Sequence, residues 1–153
     1  VVIRINGLGT PWGAADLAEA VKAGPDAILV PKVSSPGDVK AYADASGDQN
    51  PLHQDDVVAR AAGFPRVVAH GMYTMGTLAS WLVDWLGDPS ALLRMQVHFR
   101  APVFVDESIE CGGRVRSLDP NARTAVLDVW VRVQRDDGVE WPIRRSEAEV
   151  RLA

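Results

Sequence analysis

GMYTMGTLASWLVDWLG, residues 71–87, is the stretch whose reading decides the fold. It is apolar on nearly every side, with Asp84 its only charge, which is the composition of a helix enclosed by other structure. The sequence therefore predicts a central helix over about 71–86. After Asp88-Pro89 come four β-like stretches, roughly 93–102, 107–118, 123–135 and 139–152, separated by turn signals such as Asp119-Pro120-Asn121-Ala122 and Asp136-Asp137-Gly138. The third alternates Leu127, Val129, Val131 and Val133 with mostly polar neighbours, the period of a strand with one buried face. One apolar helix followed by successive antiparallel strands predicts an α+β fold in which the sheet wraps around the helix, because one curved sheet face can cover it.

Upstream, Ser34-Ser35-Pro36-Gly37-Asp38 is a helix-start signal, with a Ser cap, Pro in the first turn and an acid behind it. A short helix through Tyr42 to Ala45 is expected. Gly47 to Pro51 interrupts it, helical character resumes from Asp55 to Ala62, and Gly63-Phe64-Pro65 ends it. At the very start, Val1 to Ile5 and Ala27 to Val33 read as strands flanking a helix over Ala14 to Ala23, a β-α-β-like segment. Two parallel strands and one helix cannot cover both faces of a sheet, so residues 1–39 are not expected to be an independent domain. We expect Ala27 to Val33 to pair with the large sheet as a substitute first strand, with Val1 to Ala23 packed outside.

Bulk properties narrow the function. The 153 residues, 47% hydrophobic and 24% charged, suit one globular core. A net charge of -4 with no run of Lys or Arg disfavours nucleic acid and anionic membranes as partners. The lone Cys111 matches no metal-ligand spacing and reads as structural, in keeping with a reducing cytoplasm. The most apolar run, Met72 to Leu86, is shorter than a membrane span. The chain opens at Val1 directly on a strand-like run, which suggests a fragment, fusion or chimera.

Two clusters could carry chemistry. In YADASGDQNPLHQDD, residues 42–56, Asp48 and His53 lie five residues apart on an irregular loop around Asn50-Pro51. A carboxylate and an imidazole sharing one water can move protons near neutral pH, which suits adding or removing water. Spacing alone equally allows Asp48 to cap a turn and His53 to be a surface polar residue. In VVAHGM, residues 67–72, His70-Gly71 stands directly before the apolar helix. The first amides of a helix lack intrahelical partners and carry the positive end of its dipole, so the Gly71 N–H could bind a thioester oxygen as charge builds on it. The His70 side chain reads equally as a core or capping residue, and Met72, Met75, Trp81 and Trp85 read as packing.

The ordered motifs ADASGDQNPLHQDD (43–56), GFPRVVAHGMYTMG (63–76) and VHFRAPVFVDE (97–107) closely resemble the MaoC-like (R)-specific enoyl-CoA hydratase and 3-hydroxyacyl-ACP dehydratase family. The resemblance covers most of residues 40–153, taken as the hydratase domain. It implies a hot-dog fold and a trans-2-enoyl or (3R)-3-hydroxyacyl thioester of coenzyme A or acyl carrier protein as substrate. It also implies a homodimer, or a heterodimer with a related hot-dog subunit, and no metal or redox cofactor. Matched residue by residue, Asp48 and His53 take the place of the family's catalytic pair, Asn50 its supporting loop amide and Gly71 its backbone donor. His70, Met72 and Arg100 are secondary candidates for substrate contact. Residues 1–17 and 24–39 instead resemble a piece of the citrate-lyase β-subunit or malyl-CoA lyase family, a TIM barrel, with Arg4 at its substrate-binding Arg. Lyase activity is not expected, since an aldolase-type site needs several strand ends and a metal.

The expected activity is reversible hydration of enoyl thioesters. The alternatives are a noncatalytic acyl-thioester-binding or partner subunit and a hot-dog thioesterase, for which Asp84 is the one carboxylate on the central helix, near its far end.

Overall fold

A computed structural model describes residues 36–152 continuously and, before them, residues 2–4, 11, 15, 19, 22 and 27–29. Cα packing divides the chain into two units, Val1–Thr77 with Val103–Glu107, and Leu78–Pro102 with Ser108–Ala153.

The first unit begins with a two-stranded parallel pair, β1 (Val2–Arg4) and β2 (Ala27–Leu29), in register Val2 to Ala27 and Arg4 to Leu29. The expectation that Ala27 to Val33 joins the large sheet is thus corrected: the described part of that run, β2, takes β1 as its neighbour. Residues 30–33 and most of the expected 14–23 helix lie outside the described residues. Helix α1 (Pro36–Ser46) starts at the Pro of the cap signal and runs through Tyr42 to Ala45, as the sequence predicts. A 3-10 turn (Pro51–His53) and helix α2 (Asp56–Ala61) follow, the latter capped by Asp55, whose carboxylate accepts from the Val57 and Val58 amides. Val67 to Ala69 then runs extended beside Val103 to Val105, tied by Ala69 N to Val103 O at 2.8 Å, Val105 N to Val67 O at 3.1 Å and a bridge between Val68 and Phe104.

Helix α3 (Gly71–Leu86) is the central helix the sequence predicted. Its second half belongs to the other unit, where Leu78 and Leu82 are fully buried. That unit's sheet is antiparallel, in order β3 (Leu92–Gln96), β6 (Gly138–Arg151), β5 (Thr124–Arg135), β4 (Ile109–Asp119). In β5 the alternation holds: Leu127, Val129, Val131 and Val133 are all buried, as is Ile143 of β6. A Cβ added at Gly113 of β4 would stand 3.3 Å from the Trp81 ring, so helix and sheet meet there. The fold is α+β and hot-dog-like.

Two expectations are corrected. The first long strand ends at Gln96 rather than near 102, and beyond it Phe99 makes only an isolated bridge to Ile143. Met72 and Trp85, read as packing, are 54% and 58% exposed, because they fall in the first and last turns of α3 beyond its buried middle. Among the described residues no helix is long and apolar enough to cross a membrane.

Candidate active site

The loop between α1 and α2 is built by its own short polar side chains. Asp48 Oδ1 accepts from Asn50 N at 3.3 Å, Asn50 Oδ1 accepts from Leu52 N at 3.0 Å, and Pro51 opens the 3-10 turn, each a local bond that turn residues make with nearby amides. His53 N donates to Asn50 O at 3.0 Å, and Gln54 N and Asp55 N both donate to Pro51 O. The loop is pinned to the extended segment by Val68 N donating to Leu52 O at 3.3 Å.

The same Val68 supplies the decisive contact. His53 Nδ1 lies 2.7 Å from Val68 O. A carbonyl only accepts, so Nδ1 carries the hydrogen and a neutral His53 presents a bare Nε2. That nitrogen stands 3.9 Å from Asp48 Oδ2, with the two side chains 13% and 52% exposed. The separation is too long for a direct hydrogen bond and fits one water about 2.8 Å from each.

His70 is the last residue before α3, and its carbonyl accepts from Thr74 N at 3.2 Å. It is 2% exposed. Its Nε2 lies 3.2 Å from Asp48 O, so by the same reasoning Nε2 carries the hydrogen, while Nδ1 is buried with no partner among the described residues. Its ring stacks on that of His53, centroids 3.9 Å apart and planes at 28°, and Tyr42 of α1 lies against its other surroundings at 5.0 Å. Burial pushes the His70 pKa below its ordinary value; the Asp48 backbone contact opposes this and the neighbouring His53 adds to it. Burial, with the Asp48 charge second, raises the Tyr42 hydroxyl, keeping it neutral.

The structure therefore brings Asp48, Asn50, His53, His70 and Gly71 together. Gly71 is the exposed first residue of α3, with Met72 beside it. Arg100 lies in the other unit, exposed, with its amide donating to Pro142 O. The contacts of Val68 O and of Tyr42 were not among the expectations. A main-chain carbonyl leaves no mark in a sequence, and an aromatic in an amphipathic helix reads as core. Asp48, His53 and His70 each offer one potential ligand atom, all within 4.8 Å of one another. A transition metal needs tighter convergence, with N and O ligands about 2 Å from the ion, so the half-exposed Asp48 would have to close on the rings.

A hot-dog-like fold that sets a carboxylate 3.9 Å from an imidazole, with that imidazole stacked on the residue just before a helix, has the parts of a hydro-lyase. The chain matches the family described as "MaoC like domain" over residues 16–132. The 3-hydroxybutyryl-CoA dehydratase of Methylorubrum extorquens is 36% identical over 110 residues, 71% of this chain and 69% of that protein. The solved (R)-hydratase from A. caviae involved in PHA biosynthesis superposes with a TM-score of 0.70 at 28% identity, covering 80% of this chain and 90% of that one. The chain belongs to the MaoC-like family, whose members named here are hydro-lyases. Across the first three curated relatives the chain spans 69%, 50% and 21% of their lengths. A stretch of 42 residues is 50% identical to the (3S)-malyl-CoA thioesterase of Cereibacter sphaeroides, 15% of that protein; a likeness of that extent carries no activity to this chain.

Proposed function

We propose that the chain reversibly hydrates trans-2-enoyl thioesters of coenzyme A or acyl carrier protein to (3R)-3-hydroxyacyl thioesters, using Asp48 and His53. The observation that carries this reading is the 3.9 Å gap between His53 Nε2 and Asp48 Oδ2, with His53 Nδ1 committed to Val68 O. Both facing atoms are acceptors, so one water gives a hydrogen to each and turns an oxygen lone pair outward. In hydration that oxygen bonds to the β-carbon, the double bond's electrons move to the α-carbon and thioester oxygen, and the pair returns a proton to the α-carbon. The Gly71 amide stabilises the thioester oxygen as it becomes anionic. Asp48 and His53 form one proton-transferring unit. Dehydration runs the same path backwards.

The test is the loss of ultraviolet absorbance of a short conjugated enoyl-CoA, in the parent chain and in Asp48→Asn and His53→Ala. Undiminished turnover in either variant would falsify the pair. Chiral analysis of the product tests the (3R) outcome, which two relatives named (R)-specific enoyl-CoA hydratase support. The reaction as written uses no metal or redox cofactor, so activity should survive a chelator. Assembly as a homodimer, or with a related hot-dog subunit, is tested by light scattering of the purified chain. Release of free thiol in place of hydration would point to a thioesterase.

A further inference from the structure

We propose that His70 is a positioning residue that holds His53 and Asp48 in the geometry their shared water requires. The inference rests on the reading of those two residues as the catalytic pair.

Three contacts carry it. The His70 ring covers a face of the His53 ring at 3.9 Å. Its Nε2–H donates to Asp48 O at 3.2 Å, fixing the backbone of the carboxylate's own residue. Its carbonyl accepts from Thr74 N and, at 3.5 Å, from Thr74 Oγ1, so His70 is also fixed to the start of α3, one peptide bond from Gly71. One buried side chain thereby links both members of the pair to the helix whose first amide faces the thioester oxygen.

His53 is consequently held on two sides. Val68 O takes its Nδ1–H along one edge, and His70 blocks a face. A 180° flip of the His53 ring would put Cδ2 in the place of Nδ1 and forfeit the hydrogen bond to Val68 O, and the stack resists the tilting that such a flip needs.

Packing alone does not account for an imidazole here. An apolar ring would fill the same space, whereas His70 leaves Nδ1 buried without a partner among the described residues, an arrangement that costs stability. The Nε2–H bond to Asp48 O is what an apolar ring could not make. His70 is 2% exposed, so its effect reaches the substrate through His53 and Asp48.

The test compares kcat and KM for His70→Phe, which keeps a ring without the donor, and His70→Gln, which keeps an amide donor at similar reach. The ring ¹⁵N shifts of His53, which report its tautomer, are measured alongside. Misplacement of reacting groups by about 1 Å costs about 100-fold in rate. The expected result is a fall in kcat of about that size for His70→Phe with KM little changed and partial recovery in His70→Gln, while the Nδ1–H form of His53, which Val68 O sets, is kept. The second arm repeats His70→Phe in a His53→Ala background, where the fold loss should be smaller than in the parent, because only the link to Asp48 is left to lose and residues acting through one another are non-additive. An equal fold loss in both backgrounds, or an unchanged kcat in His70→Phe, overturns the role. Should His70→Phe not fold, His70→Gln takes its place in the cycle, with a kcat loss expected to shrink in the His53→Ala background. Full turnover by His53→Ala alone refutes the catalytic pair itself, and with it this role; loss of turnover there with additivity refutes only the role of His70.

Discussion

Replacing Gly71 by proline would delete one backbone N–H and nothing else that the helix uses. The first intrahelical bond of α3 runs from Thr74 N to His70 O at 3.2 Å, so the Gly71 N–H lies ahead of the ladder. Proline at the first helical position keeps a helical φ. It biases the residue before it, His70, toward extended backbone, which is where a helix cap normally lies. Stability should therefore stay within about 1 kcal/mol of the parent. Under the proposed mechanism the reaction, by contrast, loses a donor to the enolate-like oxygen, and removing one such donor costs about 100- to 1,000-fold in kcat, roughly 3–4 kcal/mol. The assay is initial-rate hydration of an enoyl-CoA, with urea unfolding to show that the variant is folded. Gly71→Ala supplies the control, since it adds a side chain at the same exposed position and keeps the N–H. A folded Gly71→Pro enzyme with kcat within a few-fold of the parent would refute the amide's role. An equal loss in Gly71→Ala would assign the effect to space instead.

Three further outcomes follow from the geometry. A Cβ at Gly112 would sit 2.5 Å from Trp130 Nε1 on the paired strand, so Gly112→Ala should destabilise by about 1–3 kcal/mol through overpacking; an unchanged urea midpoint would contradict the close approach. Burial, with Glu110 alongside, pushes the Cys111 thiol up to about 11, so at pH 8 only about one thiol in a thousand is thiolate; iodoacetamide should label the folded chain slowly and the urea-unfolded chain quickly. Burial holds His70 below its ordinary pKa, so as pH falls through about 6.5 the unfolded chain takes up a proton there that the folded chain does not. Stability attributable to this group then declines on acidification by up to about 1.4 kcal/mol per pH unit. His70→Phe should flatten that decline between pH 7 and 5, and an unaltered slope would mean that His70 is not held neutral.

How far the fold could be read depended on whether its cause was local. The alternation of Leu127, Val129, Val131 and Val133 is a local pattern with one meaning, and all four side chains are buried on β5. The Gly71–Leu86 helix was legible because sixteen residues with one charge have little other use in a domain of this size. The end of β3 was not legible. Its ladder to β6 stops at Gln96 opposite Glu147, and where a ladder stops is set by the partner strand. The run from Ala27 likewise announced that it would pair, while its own residues could not say with what, and β1 took the place assigned to the large sheet.

The site divides along the same line. Asp48, Asn50, Pro51 and Asp55 shape their loop through bonds that reach two or three residues, and such bonds are visible in spacing. What distinguishes the two histidines is not. His53 commits Nδ1 to a carbonyl fifteen residues away, and His70 commits Nε2 to one twenty-two residues away. Equal residue types are thus left with opposite free nitrogens. The one on His53 faces a half-exposed carboxylate at 3.9 Å. The one on His70 is enclosed, where burial disfavours the charged form and no water or substrate has ready access. Under the proposed mechanism, tautomer and burial together, rather than the identity of the residue, fit His53 to take a proton from water and His70 to keep it in place.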